Sequence, residues 1–103
     1  MKKFEIQARG NARVALIELI EFMRISVKFF AILKDKAGVA DLLFDLPEGT
    51  RASDAIDRIA QLHPAIASLL PHVAIAINRA YAPRDTPLAD NDELALIPPV
   101  SGG

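Results

Sequence analysis

The chain ends in Pro98, Pro99, Val100, Ser101, Gly102 and Gly103, and this end holds the residues best suited to chemistry. Two terminal glycines arise by chance in roughly one protein in 200 at ordinary glycine usage, so the pair decides little without its context. Here a proline pair stiffens the chain and aims it outward. Gly102 and Gly103, having no Cβ, fit a channel too narrow for other residues. A free carboxylate is unreactive toward nucleophiles because it is anionic and resonance-stabilised. Adenylation of Gly103 by a partner enzyme would activate it, after which sulfide or a persulfide displaces AMP and leaves a thiocarboxylate. In this scheme Gly103 carries the group, and Gly102, Ser101 and Pro99 form the threading tail.

A second group of residues sits on faces that strand alternation assigns to solvent. Phe30 follows Lys28, Tyr81 follows the third strand, and Ile97 shares its outward side with Glu93 and Ala95. If the sheet gathers them, Phe30, Tyr81 and Ile97 make an exposed apolar patch beside the tail, suited to docking the protein that receives it.

Other chemistry is poorly supported. The chain has no cysteine, which excludes disulfides, thiolate metal sites and a cysteine nucleophile. His63 ends an apolar helix face and His72 precedes a strand; neither has a catalytic or metal-binding pattern around it. Asp85, Asp90 and Asp92 lack calcium-loop spacing and read as turn residues. No glycine-rich phosphate loop, triad or metal set is visible, so no metal or bound cofactor is expected and catalysis would belong to partners. Twelve basic and thirteen acidic side chains give a net charge of -1, leaving no basic field for nucleic acid or an anionic membrane. The most apolar early stretch, 14–23, is short and is interrupted by Glu18 and Glu21, which fits neither a membrane span nor a signal peptide. A cytoplasmic location is expected.

The elements that must position tail and patch fit one domain, since 103 residues with 51% apolar composition leave no room for a second core. Residues 24–33 alternate, with Ile25, Val27, Phe29 and Ala31 on one side, predicting a half-buried strand. The segment 34–38 reads as a turn, and 39–47 as the returning strand of a hairpin. Ala52, Ala55, Ile56, Ile59, Ala60 and His63 fall at helical spacing, predicting an amphipathic helix over the sheet. Thr50 or Ser53 is a candidate cap, and Pro64 a stop. After a connector at 65–71, a third strand spans 72–78 with Val73, Ile75 and Ile77 inward, and the chain continues past a turn into Tyr81. A surface loop at 82–93 is held by the single apolar anchor Leu88, with Asn91 suited to a left-handed turn. The last strand, 93–98, puts Leu94 and Leu96 inward.

This order predicts an α+β fold of the β-grasp type: a mixed sheet of four or five strands with one main helix on its face. The domain occupies 23–98 and the tail 99–103. Residues 1–22 form an N-terminal extension with two readings: a segment upstream of a native start at Met23, or a helical extension. The second rests on the stripe Ala12, Ala15, Leu16, Leu19, Ile20 and Met23, which follows a brief alternation at Phe4, Ile6 and Ala8.

From Met23 onward the chain resembles the small subunit of molybdopterin synthase, a sulfur carrier of the ubiquitin-like β-grasp superfamily. The resemblance is carried by VKFFA at 27–31, the pair Ala37 and Gly38, AINRAYA at 76–82, PLADNDELALIPPV at 87–100 and the closing SGG. It implies that a ubiquitin-activating-like adenylyltransferase spends ATP on Gly103, that a persulfide protein supplies sulfur, and that the large synthase subunit then accepts the tail. The acceptor chemistry implied is dithiolene formation on cyclic pyranopterin monophosphate, within a heterotetramer of two small and two large subunits. Phe30, Tyr81 and Ile97 would supply the docking surface. The extension before Met23 has no counterpart in the family pattern, and Asn91 stands where glycine is frequent. Three other readings share the same features: a carrier for thiamine or cysteine biosynthesis, a ubiquitin-like protein modifier, and a β-grasp interaction module without chemistry at its end.

Overall fold

The computed structural model describes residues 2–5 and 19–99. Its elements are β1 (Lys2–Glu5), β2 (Leu19–Phe29), α1 (Ile32–Ala37), β3 (Asp41–Pro47), α2 (Ala52–Leu62), β4 (Ala74–Ile77), β5 (Ala80–Tyr81) and β6 (Glu93–Ile97). Two single 3₁₀ turns, Pro64–Ile66 and Leu70–His72, join α2 to β4.

β2 lies at the centre of the sheet. β3 pairs antiparallel along one edge, with Ile25 opposite Phe44, and β6 pairs parallel along the other, with Val27 opposite Leu94 and Phe29 opposite Leu96. β6 pairs antiparallel with β4, and β4 with β5. A parallel pair at the centre flanked by antiparallel neighbours, with α2 across one face, is the expected β-grasp arrangement.

The alternation expected for the first strand puts Ile25, Val27 and Phe29 in the core, joined by Met23. Leu94 and Leu96 of β6 and Ile75 of β4 share that face, and α2 covers it with Ala52, Ala55, Ile56 and Ile59. Side chains of this size contribute about 1.5–3 kcal/mol each when buried, so the covered face holds the domain together. The His63 and Phe29 rings pack in a T-shaped arrangement with centroids 5.9 Å apart, which makes His63 a packing residue.

Several local expectations change. The segment read as a turn at 34–38 is part of α1, and β2 ends at Phe29, two residues after which Ala31 sits at φ 52° and turns the chain into the helix. Leu33 is fully buried and anchors this short helix. Gly38 closes it at φ 81°, donating its N–H to the Lys34 carbonyl. Lys34 and Lys36 lie in the last turn, where cations suit the helix dipole.

Neither Thr50 nor Ser53 caps α2. Arg51 occupies the cap position without a side-chain capping bond, and the orphan amides of Ala52 and Ser53 donate instead to the Thr86 and Arg84 carbonyls at 2.9 and 2.8 Å. The loop expected at 82–93 therefore caps the helix with its backbone. Leu88 is buried as its anchor, and Asn91 takes the left-handed conformation at φ 70°. The half-buried Arg84 guanidinium ties the same loop to the entrance of β4 through the Leu70 and Val73 carbonyls at 2.6 and 2.7 Å.

The helical reading of the stripe that ends at Met23 fails for Leu19, Ile20 and Met23, which belong to β2. β2 thus continues back across the boundary placed at Met23 and pairs with β1, which sets Lys2 opposite Phe22. Phe22 also faces Pro47 of β3, so β1 and β3 lie on opposite edges of β2. Hydrogen-bonded pairing on both sides favours strand at 19–22 over the helical spacing of its apolar residues. The remainder of the extension, 6–18, lies outside the described residues.

Candidate functional site

The face of the sheet turned away from α2 is built by the same alternation. One row of pairs crosses four strands: Lys28 of β2 faces Ala95 of β6, Ala95 faces Ala76 of β4, and Ala76 faces Tyr81 of β5. Two residues farther along β6 stands Ile97, and two beyond Lys28 stands Phe30. Small residues at the middle of the row and large ones around it produce a depression of about 480 Å³. Ala76 and Ala95 form its floor, Phe30, Tyr81 and Ile97 its apolar walls, and Lys28, Arg79 and Glu93 its polar rim.

The three residues selected from the sequence as a patch are therefore together in space. Phe30 is 48% exposed and Tyr81 77% exposed, while Ile97 is half-buried. The alanines were expected to face outward, and both do by register, yet Ala76 and Ala95 are buried to 6% and 7% exposure. Large neighbours standing over two methyl groups make the concavity, which a flat row of outward alanines would lack.

Backbone strain borders the same place. Ala31, next to Phe30, has φ 52°, and Asn78 and Arg79, which link β4 to β5, have φ 52° and 71°. Non-glycine residues in such conformations cost about 1–3 kcal/mol each and persist where surrounding structure holds them. Arg79, Lys28 and Glu93 were not singled out from the sequence. The signal for Lys28 was its two-residue spacing from Phe30; for Arg79 there was only its turn position.

The tail begins at this depression. Ile97 is the last residue of β6, and after it Pro98 is half-buried and Pro99 exposed. Ser101, Gly102 and Gly103 lie outside the described residues. Gly103 is six residues beyond Ile97, so an extended chain carries its carboxylate at most about 20 Å from the wall of the depression. Among the described residues no cluster of three or more His, Cys, Asp or Glu side chains can hold a metal ion. No helix among them is long and apolar enough to cross a membrane.

Comparison with known proteins identifies the family and the fold. The ThiS family model matches residues 27–103. The molybdopterin synthase sulfur carrier subunit of Chlamydomonas reinhardtii is 40% identical over 83 residues, covering 79% of this chain and 100% of that protein. Among solved structures, SAMP1 from Haloferax volcanii superposes with a TM-score of 0.71 at 33% identity, covering 78% of this chain and 99% of that one. A chain from the protein-protein complex of subunits 1 and 2 of molybdopterin-converting factor from Helicobacter pylori aligns with a TM-score of 0.57 at 27% identity, over 79% of this chain and 100% of that one. With the match running from the middle of β2 to the terminal glycine, this chain belongs to the ThiS family.

Proposed function

We propose that the chain is the sulfur carrier subunit of a molybdopterin synthase. The observation that carries this reading is the placement of the apolar depression at the end of β6, the strand that runs directly into the Pro-Pro and Gly-Gly tail. A partner that docks on Phe30, Tyr81 and Ile97 receives the tail at the same time. The Helicobacter pylori relative, whose complex joins subunits 1 and 2 of molybdopterin-converting factor, supports a large subunit as that partner.

In the proposed cycle a ubiquitin-activating-like adenylyltransferase joins AMP from ATP to the Gly103 carboxylate and releases pyrophosphate. The outer sulfur of a persulfide protein displaces AMP to give an acyl disulfide, and a thiol then attacks the donor's own sulfur, leaving the thiocarboxylate on Gly103 and a disulfide on the donor side. The large subunit takes up the tail, and the sulfur passes to cyclic pyranopterin monophosphate. This chain contributes presentation of the tail, and water restores its carboxylate after the sulfur has left, so that it can be charged again. The ATP requirement fits work in the cytoplasm, with two carriers and two large subunits in the synthase.

Incubation with ATP, the adenylyltransferase and the large subunit tests the reading. The full chain is expected to support pyrophosphate exchange and to bind the large subunit, and a chain lacking Gly103 to lose exchange. Exchange that persists without Gly103, or failure of the full chain to bind the large subunit, contradicts it.

A further inference from the structure

The two residues between β4 and β5 are Asn78 and Arg79, both in the left-handed region. Such a two-residue hairpin turn favours Asn followed by Gly, because glycine meets no Cβ conflict at the second position. Asn78 fits its place and serves the fold. Its side chain donates to Asp92 Oδ1 at 2.8 Å and accepts the Glu93 N–H at 2.9 Å, fastening the turn to the start of β6.

Arg79 gives the fold nothing comparable. It is exposed at φ 71°, and its guanidinium has no hydrogen bond or ion pair among the described residues. A strained position occupied by a side chain with no structural partner points to a role outside the fold. That side chain lines the rim of the depression. Of the two cations there, Lys28 already faces Asp41 at 3.6 Å, which leaves Arg79 as the available one.

We propose that Arg79 is a specificity-determining residue that captures a carboxylate on the docking protein, beside an apolar side chain of that protein seated over Ala76 and Ala95. The planar guanidinium matches a carboxylate through two parallel N–H donors. Docking of an apolar group on the adjacent walls removes water from the pair and strengthens it. Glu93, also on the rim, repels a carboxylate placed on its side and so fixes the orientation in which the acidic partner sits. The proposal rests on the reading that the large synthase subunit docks in this depression.

The test compares the parent chain with Arg79→Gly and Arg79→Lys, measuring thermal unfolding and the Kd for the large subunit at low and high salt. Arg79→Gly is expected to melt no lower than the parent, because glycine relieves the turn, and to bind about tenfold or more weakly, with a shallower dependence on salt. Arg79→Lys is expected to recover part of the affinity and of the salt dependence. Binding by Arg79→Gly as tight and as salt-dependent as the parent's overturns the proposal. So does a lower melting temperature in both variants with an unchanged salt dependence, which would make Arg79 a structural residue. Failure of the parent itself to bind the large subunit overturns the docking reading as well, and is distinguished because it needs no variant.

Discussion

Phe30 and Asp90 differ in kind: one is an exposed apolar side chain that the proposed function gives to partner binding, the other a carboxylate tied into the fold. Phe30 leaves 48% of its surface in water although it adjoins the core strand residue Phe29. Replacing it by Asp should leave the melting temperature nearly unchanged and weaken binding to the large subunit by about tenfold or more, as expected for an apolar anchor. Calorimetric titration beside a thermal melt checks both halves. Asp90, in the loop before β6, accepts the Arg24 backbone N–H at 2.8 Å, and this bond holds its carboxyl below the ordinary value of 3.8. Its stabilising contribution is thus present at neutral pH and is lost as the pH falls through the lowered value. Asp90→Asn should flatten the acid limb of a melting-temperature profile, while leaving the profile above neutrality in shape. The exposed Arg24–Asp45 pair, at 2.9 Å across β2 and β3, raises the Arg24 pKa through the Asp45 hydrogen bond. An arginine stays charged throughout the accessible range, so that shift adds no pH dependence of its own.

Helix α2 and the loop that follows β5 act as one element. The loop carbonyls of Arg84 and Thr86 receive the first amides of the helix, and buried Leu88 pins the loop in place. Leu88→Ala should therefore cost about 2–4 kcal/mol, from the cavity together with loosened capping. Chemical denaturation measures it, with a lowered midpoint expected at an unchanged slope. The periodicity of Ala52, Ile56 and Ile59 and the role of Leu88 were legible in the sequence because burial repeats with the period of the element. The backbone cap was not, since it depends on carbonyls some 30 residues away whose side chains carry no signal. α1 was missed because six residues are too few to display a helical period, and Lys34, Asp35 and Lys36 look like a polar turn. The strand at 19–22 was hidden for another reason: its identity is set by pairing with β1 and with Pro47, a long-range choice that overrides local helical spacing.

For the whole molecule, the sheet separates two tasks. One face, under α2, carries the core; the other holds the depression with its alanine floor and apolar walls, which the proposed function assigns to partners; and β6 belongs to both before it becomes the tail. The patch residues Phe30, Tyr81 and Ile97 could be chosen from alternation alone because outward positions are set by a period of two. Lys28 and Glu93 shared the outward faces by the same period, but which neighbours line one depression depended on cross-strand register, so their place on its rim, and Arg79 altogether, emerged only from the fold. Because the tail lies beyond the packed strands, deletion of Gly103 should leave thermal stability unchanged within error while abolishing sulfur transfer. The central claim, that Gly103 carries sulfur, is tested most directly by intact-mass analysis of the chain purified from its native cell, with fragmentation to place any change. The account expects a fraction of the molecules to show a single oxygen-to-sulfur exchange confined to the Gly103 carboxylate. A terminal carboxylate unchanged in cells actively making the cofactor, or Gly103 recovered only in isopeptide linkage to other proteins, would contradict it.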